Sequence, residues 1–114
     1  MIEVPKVWGK EIWIANFQEY CGKFLIMNPH SKSSLHYHPK KKETFYCIFG
    51  QARLTVNNKV YDLTIDSEPV TIFPGETHRF ESGDQTVVFL EVSSFHDDDD
   101  VVRIEPSEGR NERD

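Results

Sequence analysis

Only two of the 114 residues are cysteine, Cys21 and Cys47. That is too few for a disulfide framework. Cys47 sits inside the apolar run Phe45–Phe49 and reads as a reduced core residue, with a disulfide or a sulfur ligand as the alternative. No apolar run approaches the length of a membrane span. The first residues, Met1–Lys6, carry no signal-peptide h-region, so a cytoplasmic protein is expected. Positive charge is also in deficit. Thirteen Lys and Arg stand against nineteen Asp and Glu, giving a net charge of −6. A nucleic-acid binder would show a basic stripe instead. Glycine is thin, at six residues, and no period of 3.6 persists long enough to predict a helix.

What the chain does have is short apolar stretches separated by turn signals about every ten residues, an all-β pattern. Strands are expected at Glu11–Ala15, Gly22–Met27, Ser33–Tyr37, Glu43–Phe49, Ala52–Val56, Lys59–Leu63, Val70–Phe73, His78–Glu81 and Val87–Val92. Asn57-Asn58, Pro74-Gly75 and Ser82–Gln85 supply turns between them. A single domain over residues 1–114 is predicted, with a core at about 5–105 and a flexible tail at 106–114. Nine short strands in this length suggest two sheets folded over each other as a jelly-roll barrel. Alternation along the fourth strand puts Glu43, Phe45, Cys47 and Phe49 on one interior face.

One constellation carries chemistry. His36 and His38 are two apart, so a strand aims both at one point. A turn then lets the next strand present Glu43, and Gly50 ends that strand. His78 follows the Pro74-Gly75 turn. Three imidazoles and one carboxylate form a ligand set for a divalent transition metal such as Zn, Mn, Fe, Ni or Co. Such a set leaves coordination positions open for water or substrate.

The spacing H-x-H-x4-E-x6-G resembles the first motif of the cupins, and Phe73–His78 resembles the second. Pro29–Ser34 stands where that motif usually opens with glycine, and Ser82 where it usually closes with asparagine. Val7–Glu11, Tyr20–Lys23, Glu91–Ser93 and Asp98–Ile104 are further similar to the cupin domain of type II phosphomannose isomerases, over roughly residues 5 to 110. In those enzymes the domain is often fused to a nucleotidyltransferase. The resemblance implies a cupin-type jelly roll, a metal at His36, His38, Glu43 and His78, and aldose–ketose isomerisation of a sugar or sugar phosphate.

Around that site, Glu91 has an acid's place in the isomerase-like pattern. Its parity with Phe89 and Val87 points it inward, as a general base, against the alternative of a solvent-facing strand glutamate. Lys40, Lys41 and Lys42 cluster at the pocket mouth. At least two are expected on a solvated turn, and Lys42 is the candidate for an anionic substrate group. Arg103 matches an arginine of the resembling tail and is a candidate phosphate ligand, with an ion pair to the nearby aspartates as the alternative. Tyr46 and Lys23 are further polar candidates. Arg79, next to a ligand, turns to the opposite face and reads as structural. His30 and His96 have no partner at ligand spacing, and Trp8 and Trp13 read as packing residues or the wall of a sugar site. The run Asp97–Asp100 is expected in a solvated loop, with a calcium site as the alternative. Competing functions are a cupin-type metal oxygenase, a sugar epimerase and a non-catalytic sugar-binding domain. A homodimer that includes the Val7–Ile14 segment is expected, because pairing covers strand edges.

Overall fold

The computed structural model describes residues 1–109. They form eleven strands and no helix. The strands are β1 (Ile2–Lys6), β2 (Gly9–Asn16), β3 (Cys21–Met27), β4 (Leu35–Tyr37), β5 (Glu43–Phe49), β6 (Ala52–Val56), β7 (Lys59–Leu63), β8 (Val70–Ile72), β9 (His78–Ser82), β10 (Val87–Ser93) and β11 (Val102–Glu105). A six-stranded sheet runs β1-β2-β3-β10-β5-β8 and a five-stranded sheet runs β11-β4-β9-β6-β7. Every strand pairing is antiparallel.

Period-two burial drives the two layers together. On β3 the buried side chains are Cys21, Lys23, Leu25 and Met27; on β10 they are Val87, Phe89, Glu91 and Ser93. These faces meet Leu54, Val56 and Phe80 of the other sheet in one apolar cluster. The Phe45–Phe80 and Phe80–Phe89 ring pairs, at 4.7 and 4.5 Å, fill its centre. Cys21 and Cys47 are free and buried, and burial pushes both thiols up.

Two strands differ from the sequence expectation. β1 carries Pro5, which an edge strand tolerates because its outer N–H groups have no partner to lose. β11 is exposed and charged, yet it pairs with β4. Glu108 exchanges two backbone hydrogen bonds with Lys32, and residues 110–114 of the expected flexible tail lie outside the described residues. Phe49 corrects another expectation: it is 60% exposed and does not line the interior. The register shifts between Val88 and Phe89, so Phe49 pairs with outward-facing Val88 and leaves the alternation of Phe45 and Cys47.

The Pro29–Ser34 segment and Ser82, where the chain departs from the motif pattern, are bonded to each other. Ser82 Oγ accepts from the Ser31 N–H at 2.9 Å and donates to the Asn28 carbonyl at 2.6 Å. Gly50 has φ +81°, and a Cβ there would lie 2.4 Å from the Thr86 carbonyl oxygen. Gly50→Ala is therefore expected to lower unfolding stability by at least about 2 kcal/mol. Urea unfolding measures this, and an unchanged midpoint would contradict it.

Candidate metal centre

The pairing of β4 with β9 sets His36 directly opposite His78, with ring centroids 4.4 Å apart. His38 follows two residues along, and its ring lies 5.0 Å from that of His36. The turn that delivers His78 is fastened to the same place, since the Gly75 N–H donates to the His38 carbonyl at 2.9 Å. Across the interior, β5 opens with Glu43, which is buried. The structure thus brings all four predicted ligands together. The ligand nitrogens of His36, His38 and His78 lie within 4.8 Å of one another.

The backbone fixes which nitrogen faces inward. His36 Nδ1 is 2.8 Å from the Ser34 carbonyl, His38 Nδ1 is 2.7 Å from the Asp100 carbonyl and His78 Nδ1 is 3.0 Å from the Glu76 carbonyl. A carbonyl only accepts, so each Nδ1 carries the proton and each Nε2 presents a lone pair. Burial, and then the charges of His78 and His38, push His36 down to about 3, so its ring stays neutral at ordinary pH. Burial likewise lowers His38.

Glu43 supplies the test of whether a cation fits. His38 Nε2 is 3.5 Å from its Oε1 and His78 Nε2 is 3.2 Å from its Oε2. Both imidazoles turn lone pairs toward the carboxylate, and Oε2 is buried with no hydrogen-bond donor. Lone pairs facing a buried acceptor suit a cation between them. Burial works to raise the Glu43 carboxyl, but the positive charge around it, with the Lys41 ammonium 3.2 Å from Oε1, outweighs burial and holds it below the usual carboxylate range. His36, His38, Glu43 and His78 together could hold a divalent transition metal.

Beside the ligands stands a second charged pair. Glu91 is buried, and its Oε2 lies 2.8 Å from Lys41 Nζ. Ser93 Oγ donates to the same oxygen at 2.8 Å. Lys41 Nζ also lies 3.2 Å from Glu43 Oε1 and 3.1 Å from His96 Nδ1. Burial alone would lower this lysine, but Glu91 and Glu43 reverse the effect and raise it above the usual lysine range. Further in, Lys23 is 3.3 Å from Glu11 and 4.4 Å above the Trp13 ring. Three buried carboxylates, Glu11, Glu43 and Glu91, thus stand against two buried ammonium groups, Lys23 and Lys41. The cavity measures about 110 Å³ and is lined by Trp8, Phe45 and Phe80 as well as by these polar groups.

Lys42 and Tyr46 do not reach this cavity, which corrects their expected place at the substrate. Lys42 is exposed, with its Nζ over the Phe73 ring at 4.8 Å. Tyr46 lies on the outer face of β5 and donates to the Ile65 carbonyl at 2.6 Å. The alternation that buries Glu43 buries Lys41 two residues earlier and turns Lys42 out. Arg103 is exposed at the cavity mouth. Arg79 is tied to the Ser33 and Pro106 carbonyls and to Glu105, away from the ligands. His96 lines the cavity, bonded to Asp98, while His30 pairs with exposed Asp84. The acidic run is only partly a solvated loop. Asp100 is buried, its carbonyl locks His38, and its Oδ1 accepts from the Lys40 N–H at 2.9 Å. No sequence spacing signals this contact, because 62 residues separate the partners.

The family model for the mannose-6-phosphate isomerase C-terminal domain matches residues 1–106. The chain belongs to this cupin family. It is 33% identical over 111 residues to mannose-1-phosphate guanylyltransferase ManC of Salmonella typhimurium, a match that covers 95% of the chain and 23% of ManC. The chain thus spans about a quarter of the length of that relative. It is 26% identical over 117 residues to D-lyxose/D-mannose isomerase of Thermosediminibacter oceani, covering 80% of the chain and 65% of the isomerase. Among solved structures, the capsular polysaccharide assembling protein CapF of Staphylococcus aureus superposes with a TM-score of 0.80 at 20% identity. That likeness covers 91% of the chain and 34% of CapF, and it shows the fold.

With metal stripped by a chelator, stability is expected to fall as pH drops from about 6.5 toward 4. The unfolded chain protonates His36 near its usual 6.5, but the folded chain does so only near 3. The unfolded state therefore binds more protons in that interval, and this one group removes up to about 1.4 kcal/mol per pH unit. Thermal melts across that range should show a shallower slope for His36→Gln than for the wild type, and parallel slopes would refute the assignment.

Proposed function

We propose that this cupin is a metal-dependent isomerase that interconverts an aldose and a ketose, as the free sugar or its phosphate. The observation that carries the reading is the buried Glu91 carboxylate, braced by Lys41 and Ser93 beside three inward-facing imidazoles. The isomerase named among the relatives and the mannose-6-phosphate isomerase family support the same chemistry.

A divalent cation held by His36, His38, Glu43 and His78 would supply Lewis acidity toward the vicinal oxygens of the sugar. Glu91 is the base in this reading: it takes the proton from C2 of the aldose and returns it to C1, while the hydroxyl proton on O2 passes to O1. Lys41 and Ser93 bond Oε2 and hold that carboxylate aimed. Trp8, Phe45 and Phe80 supply apolar wall to the same cavity, so the charge that develops on the sugar is stabilised by fixed polar groups rather than by water alone. Arg103, at the mouth, is the remaining candidate for a phosphate group.

His38→Ala is expected to lose bound metal and activity together, while full metal content by elemental analysis would remove the ligand assignment. At saturating metal, Glu91→Gln should lower kcat by about 10²–10⁴-fold on the best substrate in a screen of aldoses and aldose phosphates. Near-normal turnover would exclude Glu91 as the base. We also propose that two copies pair. The outer face of the six-stranded sheet carries Ile12, Phe24, Ile26, Leu90 and Val92, with the Lys10–Glu3 ion pair at its β1–β2 edge. Light scattering at micromolar concentration should give twice the chain mass, and the single-chain mass at that concentration would count against pairing.

A further inference from the structure

We propose that Lys41 is the resident counter-ion of the metal centre: it holds the Glu43 carboxylate in competition with a divalent cation and keeps Glu91 as its second anchor. The inference rests on the metal reading above. Lys41 is only 3% exposed, and its ammonium is shared between Glu43 Oε1 at 3.2 Å and Glu91 Oε2 at 2.8 Å. The Glu43 oxygen it holds, Oε1, is 3.5 Å from His38 Nε2, while Oε2 stays without a donor 3.2 Å from His78 Nε2, so the competition is for the charge of the carboxylate and for one of its two oxygens. A cation arriving at the imidazoles therefore meets a carboxylate already partly neutralised, beside a buried positive charge that repels it.

The geometry also gives the ammonium an alternative. Glu91 is the nearer partner, and Ser93 steadies the oxygen it uses. Lys41 can release Glu43 and stay paired without leaving the interior. Two consequences follow for the chain. The metal-free centre is charge-paired and folded, unlike a zinc site that collapses when stripped. Metal affinity is set by competition, so Lys41 is a positioning residue that weakens metal binding while it aims Glu91.

Titration of the full-length, chelator-stripped protein with Mn²⁺ or Zn²⁺ in a calorimeter tests this. Lys41→Gln is expected to bind the ion at least ~10-fold more tightly than the wild type, because a close like charge is removed. A lysine that merely supports the fold predicts unchanged or weaker binding, and either result overturns the proposal. Glu91→Gln removes the second anchor, returns Lys41 to Glu43 and is expected to weaken binding; unchanged or tighter binding overturns the proposal even where the lysine variant fails to fold. In Lys41→Gln the further change Glu91→Gln should cost less affinity than it does in the wild type, and an equal or larger loss overturns the proposal. Lys40→Gln, an exposed neighbour of equal charge, should match the wild type; a gain equal to that of Lys41→Gln would reduce the effect to net charge and overturn the proposal. A wild type that binds neither ion removes the metal reading itself, while a wild type that binds and a Lys41→Gln variant that is no tighter remove only this inference.

Discussion

Three peptide carbonyls, those of Ser34, Glu76 and Asp100, set the state of the whole interior by taking the Nδ1 protons of three histidines. Once those protons are committed, the three Nε2 lone pairs share one small space, and those of His38 and His78 point at a buried carboxylate. Neutral imidazoles in this arrangement repel one another unless a positive charge joins them. The β4–β9 pairing, the Pro74-Gly75 turn and the C-terminal segment each supply one of the constraints that keep the rings there. None can relax alone without releasing a histidine.

The same strands that build the site build the core, and they do so on the same faces. β3 carries Lys23 and then Leu25 and Met27; β5 carries Glu43 and then Phe45 and Cys47. β9 carries His78 and then Phe80, and β10 carries Glu91 after Val87 and Phe89. The barrel is thus polar at one end and apolar at the other, with the aromatic floor directly beneath the charged groups. Water is excluded from one side of the site by the packing that stabilises the fold. Burying five charged side chains in a small barrel is costly unless they pair, and the Lys23–Glu11 and Lys41–Glu91–Glu43 contacts provide that pairing.

The clustering of His36, His38, Glu43 and His78 was legible because strand geometry makes the H-x-H spacing a statement about direction, and the parity of Glu91 with Phe89 was legible for the same reason. Lys41 was equally available: counting back two residues from Glu43 puts it on the same face, and charge alone disguised it among three consecutive lysines. Phe49 failed the same count because a register shift lies beside it, and a bulge has no one-strand signature. β1 and β11 escaped notice because Pro5 and a charged surface strand satisfy only the looser demands of a sheet edge. Asp100 could not be read at all, since its role is a backbone carbonyl and any residue type could offer one.

That last contact has a consequence for biosynthesis. The carbonyl that orients His38 belongs to residue 100, and the strand that follows it, Val102–Glu105, closes beside His36. A ribosome releasing the chain from its amino end delivers His36, His38, Glu43 and His78 before this closing strap. The His38 ring therefore stays free to turn until residue 100 has been made and has folded back onto β4.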